Sequence, residues 1–122
     1  MSLSLDVSMR DPQTGKLVSV ELPLGYDLMG FESYRKRLWG TEVMKELGLE
    51  LLPSLGEGAY LVLRTPEQIT QLAHEAELMR DNIDKIREAL GPDMVFTLER
   101  TYLRNLFNAV KVARSVGGEI SV

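Results

Sequence analysis

Thr65-Pro66-Glu67-Gln68 is the stretch that decides the fold, because it predicts the start of a long helix. Thr65 is a favourable N-cap residue, and Pro66 falls at the first helical position, where its missing N–H costs nothing. Gln68 can reach back to the N-cap backbone and close a capping box. The helix is predicted to run over about 66–90, because Gly91 and Pro92 end it.

A narrow apolar seam runs along this predicted helix. Its members recur at alternating spacings of three and four residues: Ile69, Leu72, Ala76, Met79, Ile83, Ile86 and Leu90. Such a stripe is favoured to pack on a sheet or on the next helix of the same chain. The alternative left open is a self-assembling structural protein, with a homodimer formed through the Ile69–Leu90 seam.

The N-terminus predicts a β-hairpin. Apolar and polar residues alternate over 3–9 and again over 17–22, as they do in half-buried strands. Asp11-Pro12-Gln13-Thr14-Gly15 lies between the two runs and has the composition of a turn. The following residues, 23–30, are predicted to form a loop.

The middle of the chain predicts a broken helix and one or two strands. Residues 31–47 have a helical pattern that is interrupted near Gly40, and the sequence leaves open whether one helix or two result. Thr41 is placed to cap the second part, and Gly48 to end it.

Two strand predictions follow this broken helix. Leu49–Leu52 is predicted as a short strand that Pro53 ends. Ala59–Leu63 is predicted as a second strand, because it is rich in β-forming residues and follows a glycine turn.

The C-terminal part predicts a second helix and a closing strand. The helix covers about 100–116, with Met94–Leu98 ambiguous before it, and Gly117-Gly118 ends it. Residues 119–122 read as a strand that returns to the N-terminal hairpin, because a terminal strand needs a partner. We therefore expect one α+β domain over 1–122, with an antiparallel or mixed sheet of undetermined order and its helices on one face.

Composition restricts the functional classes. The 122 residues include no cysteine, so disulfides and thiolate chemistry are excluded, and a cytoplasmic location is expected. No apolar run reaches the roughly 18 residues of a membrane span, so no membrane partner is expected. A net charge of −4 disfavours nucleic-acid binding and favours basic partners.

The chemical residues form no recognisable catalytic, metal or cofactor motif. His74 is the only histidine, and with Glu77 it offers two metal ligands on one helix face, which is too few for a site. The glycines match no phosphate-binding loop. The carboxylates of the long helix, Glu75 among them, are expected to be solvated. We accordingly predict no catalytic residue, no metal and no cofactor, and an enzyme is the less favoured class.

The segment 25–40 is the best candidate for a binding site. It contains four of the chain's eight aromatic residues, including the only tryptophan, and the run Arg35-Lys36-Arg37. Tyrosine, tryptophan and arginine are the residue types that dominate protein-binding surfaces. The candidate partner-binding residues are Tyr34, Arg35, Arg37 and Trp39.

Three hypotheses about function follow. The leading one is a small non-enzymatic protein-interaction module of bacterial or phage type, for example an immunity-type inhibitor of a basic toxin, whose acidic helix steers the encounter. The second is a small-ligand binder or enzyme with a pocket between the sheet and residues 26–40. The third is self-assembly through the Ile69–Leu90 seam.

Overall fold

The computed structural model describes residues 2–122, and it confirms the α+β class. Its strands are β1 (Ser2–Ser4), β2 (Asp6–Arg10), β3 (Leu17–Val20), β4 (Leu28–Phe31), β5 (Val62–Leu63) and β6 (Glu119–Ser121). Its α-helices are α1 (Glu42–Glu46), α2 (Pro66–Asp81), α3 (Ile83–Leu90), α4 (Pro92–Thr97) and α5 (Leu103–Val116). Two π-helical turns, Arg35–Trp39 and Leu98–Tyr102, and a 3₁₀ segment, Leu52–Glu57, lie between these elements.

The predicted hairpin is confirmed as β2 and β3. These strands pair antiparallel, with Val7 opposite Val20. Asp11 organises the turn, because its Oδ1 accepts a hydrogen bond from the backbone N–H of Gln13 at 2.7 Å. Gly15 takes the left-handed conformation that closes the turn, with φ of +71°.

The C-terminal strand returns to the hairpin as predicted. The order in the main sheet is β3-β2-β6-β5, all neighbours are antiparallel, and Val7 lies opposite Ile120. Val7, Leu63 and Ile120 are buried, and α5 packs against β2 and β6 on that face. The helices therefore cover one face of this sheet.

The prediction of a loop over 23–30 is wrong at its end. β4 pairs antiparallel with β1 in a separate two-stranded sheet, with Ser2 opposite Phe31 and Ser4 opposite Leu28. The strand is fixed by contacts distant in sequence, since Asn105 Nδ2 donates a hydrogen bond to the carbonyl of Leu28 at 2.7 Å. Local composition carries no signal of such a partner.

The capping box is confirmed, but the single helix 66–90 is not. Gln68 N–H donates to Thr65 Oγ1 at 3.2 Å, and Gln68 Oε1 accepts from Thr65 N–H at 3.1 Å. The helix breaks at Asn82 into α2 and α3. Asn82 Nδ2 donates to the carbonyl of Leu78 at 2.8 Å, and side-chain bonds of this kind compete with the helical backbone ladder.

The Ile69–Leu90 seam lies inside the chain. Five of its members are buried by the protein's own residues: Ile69, Leu72, Ala76, Met79 and Ile86. α2 packs against α5, in agreement with the favoured interpretation. These five residues are therefore used in packing within the chain, while Ile83 and Leu90 are only partly buried, and self-assembly through the seam stays a prediction.

Residues 31–63 depart furthest from the predicted elements. The helical pattern over 31–47 does break at Gly40, giving a π turn and α1. The predicted strand Leu49–Leu52 is wrong, because the backbone there turns towards the buried carboxylate of Glu75 and enters the 3₁₀ segment. The predicted strand Ala59–Leu63 is reduced to β5.

The predicted helix over 100–116 is confirmed as helical throughout, and the helical structure begins earlier, at Pro92. The ambiguous residues Met94–Leu98 are helical, because Pro92 occupies the first position of α4 and so starts a helix before them. The second π turn then separates α4 from α5, which begins at Leu103. The sequence pattern predicts helical structure in this region, but it does not predict the π turn that connects α4 to α5.

Candidate functional site

The first π turn places the candidate residues, and two glycines determine where it lies. Gly40 N–H donates to the carbonyl of Arg35 at 2.8 Å, which closes the wide turn. Gly40 also lies directly against Gly56 of the 3₁₀ segment, where a Cβ on Gly40 would come within 2.7 Å of Gly56 Cα. The turn and the segment therefore pack backbone to backbone, which only glycine permits.

Trp39 belongs to the core and is removed from the predicted partner-binding set. Its side chain is fully buried, and its Nε1 donates a hydrogen bond to the carbonyl of Met29 at 3.1 Å. A buried indole with its N–H satisfied stabilises the fold. Trp39 therefore fixes the π turn to the core, and a partner can contact only those residues of the turn that are exposed to solvent.

Arg35 is held in a fixed position at the surface. Its side chain is 15% exposed, and its Nη1 donates to the carbonyls of Leu55 and Ala59 at 3.3 and 3.0 Å. Its Nε pairs with the Glu32 carboxylate. The guanidinium carbon lies 5.7 Å from the centre of the Tyr60 ring, within the range of a cation–π contact. The guanidinium of Arg35 is therefore held by two backbone carbonyls, one carboxylate and one ring.

Tyr34 connects the surface to the core. Its ring packs edge-on against Phe31 at 5.6 Å and against Tyr102 at 6.1 Å between ring centres. Arg37 is exposed, and its guanidinium carbon lies 5.9 Å from the Tyr34 ring centre. The Trp39 ring also contacts Tyr102, at 6.0 Å. The two π turns thus meet through a continuous aromatic cluster.

The Tyr102 hydroxyl is kept neutral by its surroundings. Burial raises the pKa of Tyr102 above its ordinary value of 10.0, and repulsion from the neighbouring Tyr34 raises it further. Desolvation disfavours the charged phenolate, so this group provides no base at neutral pH. Its role is to support Tyr34 from the core side.

Five residues form what we call the Arg35 surface: Phe31, Tyr34, Arg35, Arg37 and Tyr60. Phe31 is 62% exposed and Tyr60 is 82% exposed, while Arg35, beside Tyr60, is only 15% exposed and is held by backbone carbonyls. The sequence pattern identifies Tyr34, Arg35 and Arg37. It misses Phe31 and Tyr60, and Tyr60 has the pattern of an ordinary strand residue.

Two open grooves flank Arg35. The larger, of about 660 Å³, is called the β1 groove, and its lining residues are Ser2, Leu3, Ser4, Asp6, Glu32, Arg35, Tyr60, Leu61, Val62, Ser121 and Val122. The other, of about 620 Å³, runs between the π turn and the 3₁₀ segment. The expected location between the sheet and residues 26–40 thus contains a groove, and the groove is open to solvent.

The single histidine stands apart from these grooves. His74 is exposed on α2, as is Glu77. Over residues 2–122, no three histidine, aspartate or glutamate side chains come together in a group that could hold a metal ion. Within the same range, no helix is both long and apolar enough to cross a membrane.

Glu75 corrects the expectation that the carboxylates of the long helix are solvated. It is 2% exposed, and its oxygens accept hydrogen bonds from the backbone N–H groups of Glu50, Leu51 and Leu52 at 3.1, 2.9 and 3.1 Å. Gln71 Nε2 adds a contact at 3.3 Å. The carboxylate therefore fixes the start of the 3₁₀ segment against α2, which in turn supports Arg35.

A second buried polar residue fixes the approach to β4. Asn105 is fully buried, and its Nδ2 donates to the carbonyls of Gly25 and Leu28 at 3.1 and 2.7 Å. Its Oδ1 accepts from Arg104, whose guanidinium carbon lies 4.0 Å from the Tyr26 ring centre. This residue holds the start of the 25–40 segment on α5.

The chain matches no family model, and it matches no curated protein and no solved structure. Function is therefore inferred from the geometry of the Arg35 surface and its grooves.

Proposed function

We propose that the protein is a small non-enzymatic protein-interaction module that contacts its partner through the Arg35 surface. The observation that carries this proposal is an arginine bonded to two backbone carbonyls beside the exposed Tyr60 ring, with the exposed Phe31 ring packed on the adjacent Tyr34. Ordering side chains at an interface costs free energy, so a pre-positioned arginine binds at lower cost. Aromatic residues and arginine are also the groups whose truncation most often weakens protein complexes.

The charge of the chain favours a basic partner. The net charge is −4, and opposite charge on the partner would speed the encounter. A further groove of acidic character lies between α1 and α3, where Glu42, Glu46 and Glu88 stand with Lys85. An immunity-type inhibitor of a basic toxin is one version of this proposal. The cysteine-free composition fits a cytoplasmic partner.

A small-ligand site or an active site is the less favoured alternative. Ligand sites usually bury most of their ligand in a concave pocket. The grooves beside Arg35 have a suitable size but remain open to solvent. A protein surface fits an open groove better, because it covers both the groove and the exposed rings at its margin.

Phe31→Ala and Tyr60→Ala are expected to weaken capture of the partner by about thirtyfold or more each, since truncating a central contact commonly costs about 2 kcal/mol. The test immobilises the full chain, captures proteins from a lysate of the source organism, and compares binding of the captured partner with each variant. Both side chains are largely exposed, so the fold should persist, and circular dichroism checks this.

Phe96→Ala is the matched control. Phe96 is 62% exposed, as is Phe31, and it also lies beside an arginine, with Arg100 at 5.4 Å from its ring centre. Its truncation should leave capture unchanged. Equal loss with Phe96→Ala, or undiminished capture with both surface variants, would contradict the proposal, as would the recovery of no specific partner.

A further inference from the structure

Among residues 2–122, β1 pairs with β4 alone, on one of its two edges. Leu5, at the end of β1, donates its N–H to the carbonyl of Asp27 at 2.8 Å, on the side of β4. Successive residues of a strand point their backbone groups to opposite edges. The backbone groups of Ser4 and Ser2 therefore point away from β4 and into the β1 groove.

The groove lies beside the end of the main sheet that is nearest to β1. β6 pairs with the edge of the N-terminal strand that faces away from β4, through Asp6, Val7 and Ser8, with Asp6 opposite Ser121. Leu61 and Val122 exchange both backbone hydrogen bonds, at 3.2 and 2.9 Å, and close the end of the groove. The gap beside Ser2–Ser4 is thus lined by residues of β5 and β6 and by Glu32 and Arg35.

The lining of the groove defines the chemistry of an occupant. An unpaired strand edge is satisfied by another extended backbone, the mode by which sheets bind peptides. Leu3 and Leu61 line the groove while being buried, so they favour an apolar side chain above them. Asp6 also lines it, is exposed, and forms no ion pair within residues 2–122, so it favours a cation.

We propose that the β1 groove receives an extended segment of a basic partner protein as an added strand paired with β1. The inserted segment alternates apolar and polar residues and places a lysine or arginine beside Asp6. Tyr60, which lines the groove, packs against the inserted segment. This inference rests on the proposed interaction function and specifies how the partner is held.

The probe is a library of random peptides displayed on phage and selected against the immobilised full chain. Selected peptides are expected to alternate apolar and polar residues and to carry a basic residue. In amide hydrogen exchange followed by NMR, saturating peptide should slow exchange at Ser4 by on the order of tenfold or more. The amide of Leu5, already bonded to Asp27, should change little and serves as the internal control.

Two substitutions separate backbone pairing from charge. Ser4→Pro removes the N–H that faces the groove and should abolish peptide binding. Asp6→Asn should weaken binding only about threefold to fivefold, as expected for one exposed ion pair, and should reduce its salt dependence. Asp93→Asn, an exposed position on α4, should leave both unchanged.

Several outcomes would overturn the added strand. One is that the selection enriches no peptide. Another is that enriched peptides bind but leave hydrogen exchange at Ser4 unchanged. A third is that exchange at Ser4 slows as the protein concentration rises, together with dimer formation in sedimentation. The last outcome would place a second copy in the groove. A partner whose binding is lost in Tyr60→Ala supports the interaction function. If that partner does not slow exchange at Ser4 in the unsubstituted protein, only the added strand is contradicted.

Discussion

Glu75→Gln should lower the free energy of unfolding by about 3 kcal/mol, although it changes a single atom of the side chain. Both carboxylate oxygens accept backbone N–H groups, from Glu50, Leu51 and Leu52. An amide has one oxygen, so its NH2 group must face at least one of these donors. A buried N–H left without an acceptor costs about 1–3 kcal/mol, and bonds to a charged acceptor are stronger than neutral ones.

Urea denaturation followed by circular dichroism measures this effect. Glu77→Gln is the matched control, because Glu77 lies two residues further along the same helix and is exposed. The control should change the free energy of unfolding by less than about 0.5 kcal/mol. If the two variants were equally stable, Glu75 would not be the support of the 3₁₀ segment.

Gly56→Ala should lower the free energy of unfolding by about 3 kcal/mol or more, since overpacking against rigid backbone is costly. A Cβ at this position would come within 2.7 Å of Gly40 Cα and 2.9 Å of the Arg35 carbonyl oxygen. Neither atom belongs to a flexible side chain, so the π turn itself must move. Partner binding should therefore weaken together with stability.

Gly15→Ala separates this contact from ordinary glycine strain. Gly15 has a φ of +71°, and a Cβ added there would meet no atom within 4 Å. Alanine at this position therefore carries only the left-handed backbone cost of about 1 kcal/mol. Thermal unfolding of the two variants provides the comparison. A loss at Gly56 no larger than that at Gly15 would show that the two backbones can separate freely.

Local signals explain which parts of the fold were predictable. The hairpin around Asp11 and the capping box of Thr65 and Gln68 are formed by residues close in sequence, and both were predicted. The missed elements depend on distant partners. Glu75 acts on a segment 24 residues before it, and Asn105 on a carbonyl 77 residues before it.

The sequence predicts the residue types of the candidate site better than it predicts how those residues are arranged in space. Tyr34, Arg35 and Arg37 were identified because their residue types suit binding surfaces. The same reasoning included Trp39, since residue type alone does not reveal which side of a π turn faces the core. Glycine at position 40 suggests room for movement, whereas the structure shows a tight contact with Gly56.

Site-specific photo-crosslinking tests the central claim, that the Arg35 surface binds a partner protein. Benzoylphenylalanine is placed at position 60, which is 82% exposed, or at the control position 96, which is 62% exposed, and each protein is irradiated in lysate of the source organism. We expect the crosslinker at position 60 to form an adduct with one specific protein. The crosslinker at position 96 should not form that adduct. Adducts that are the same from both positions, or absent from position 60, would contradict the account.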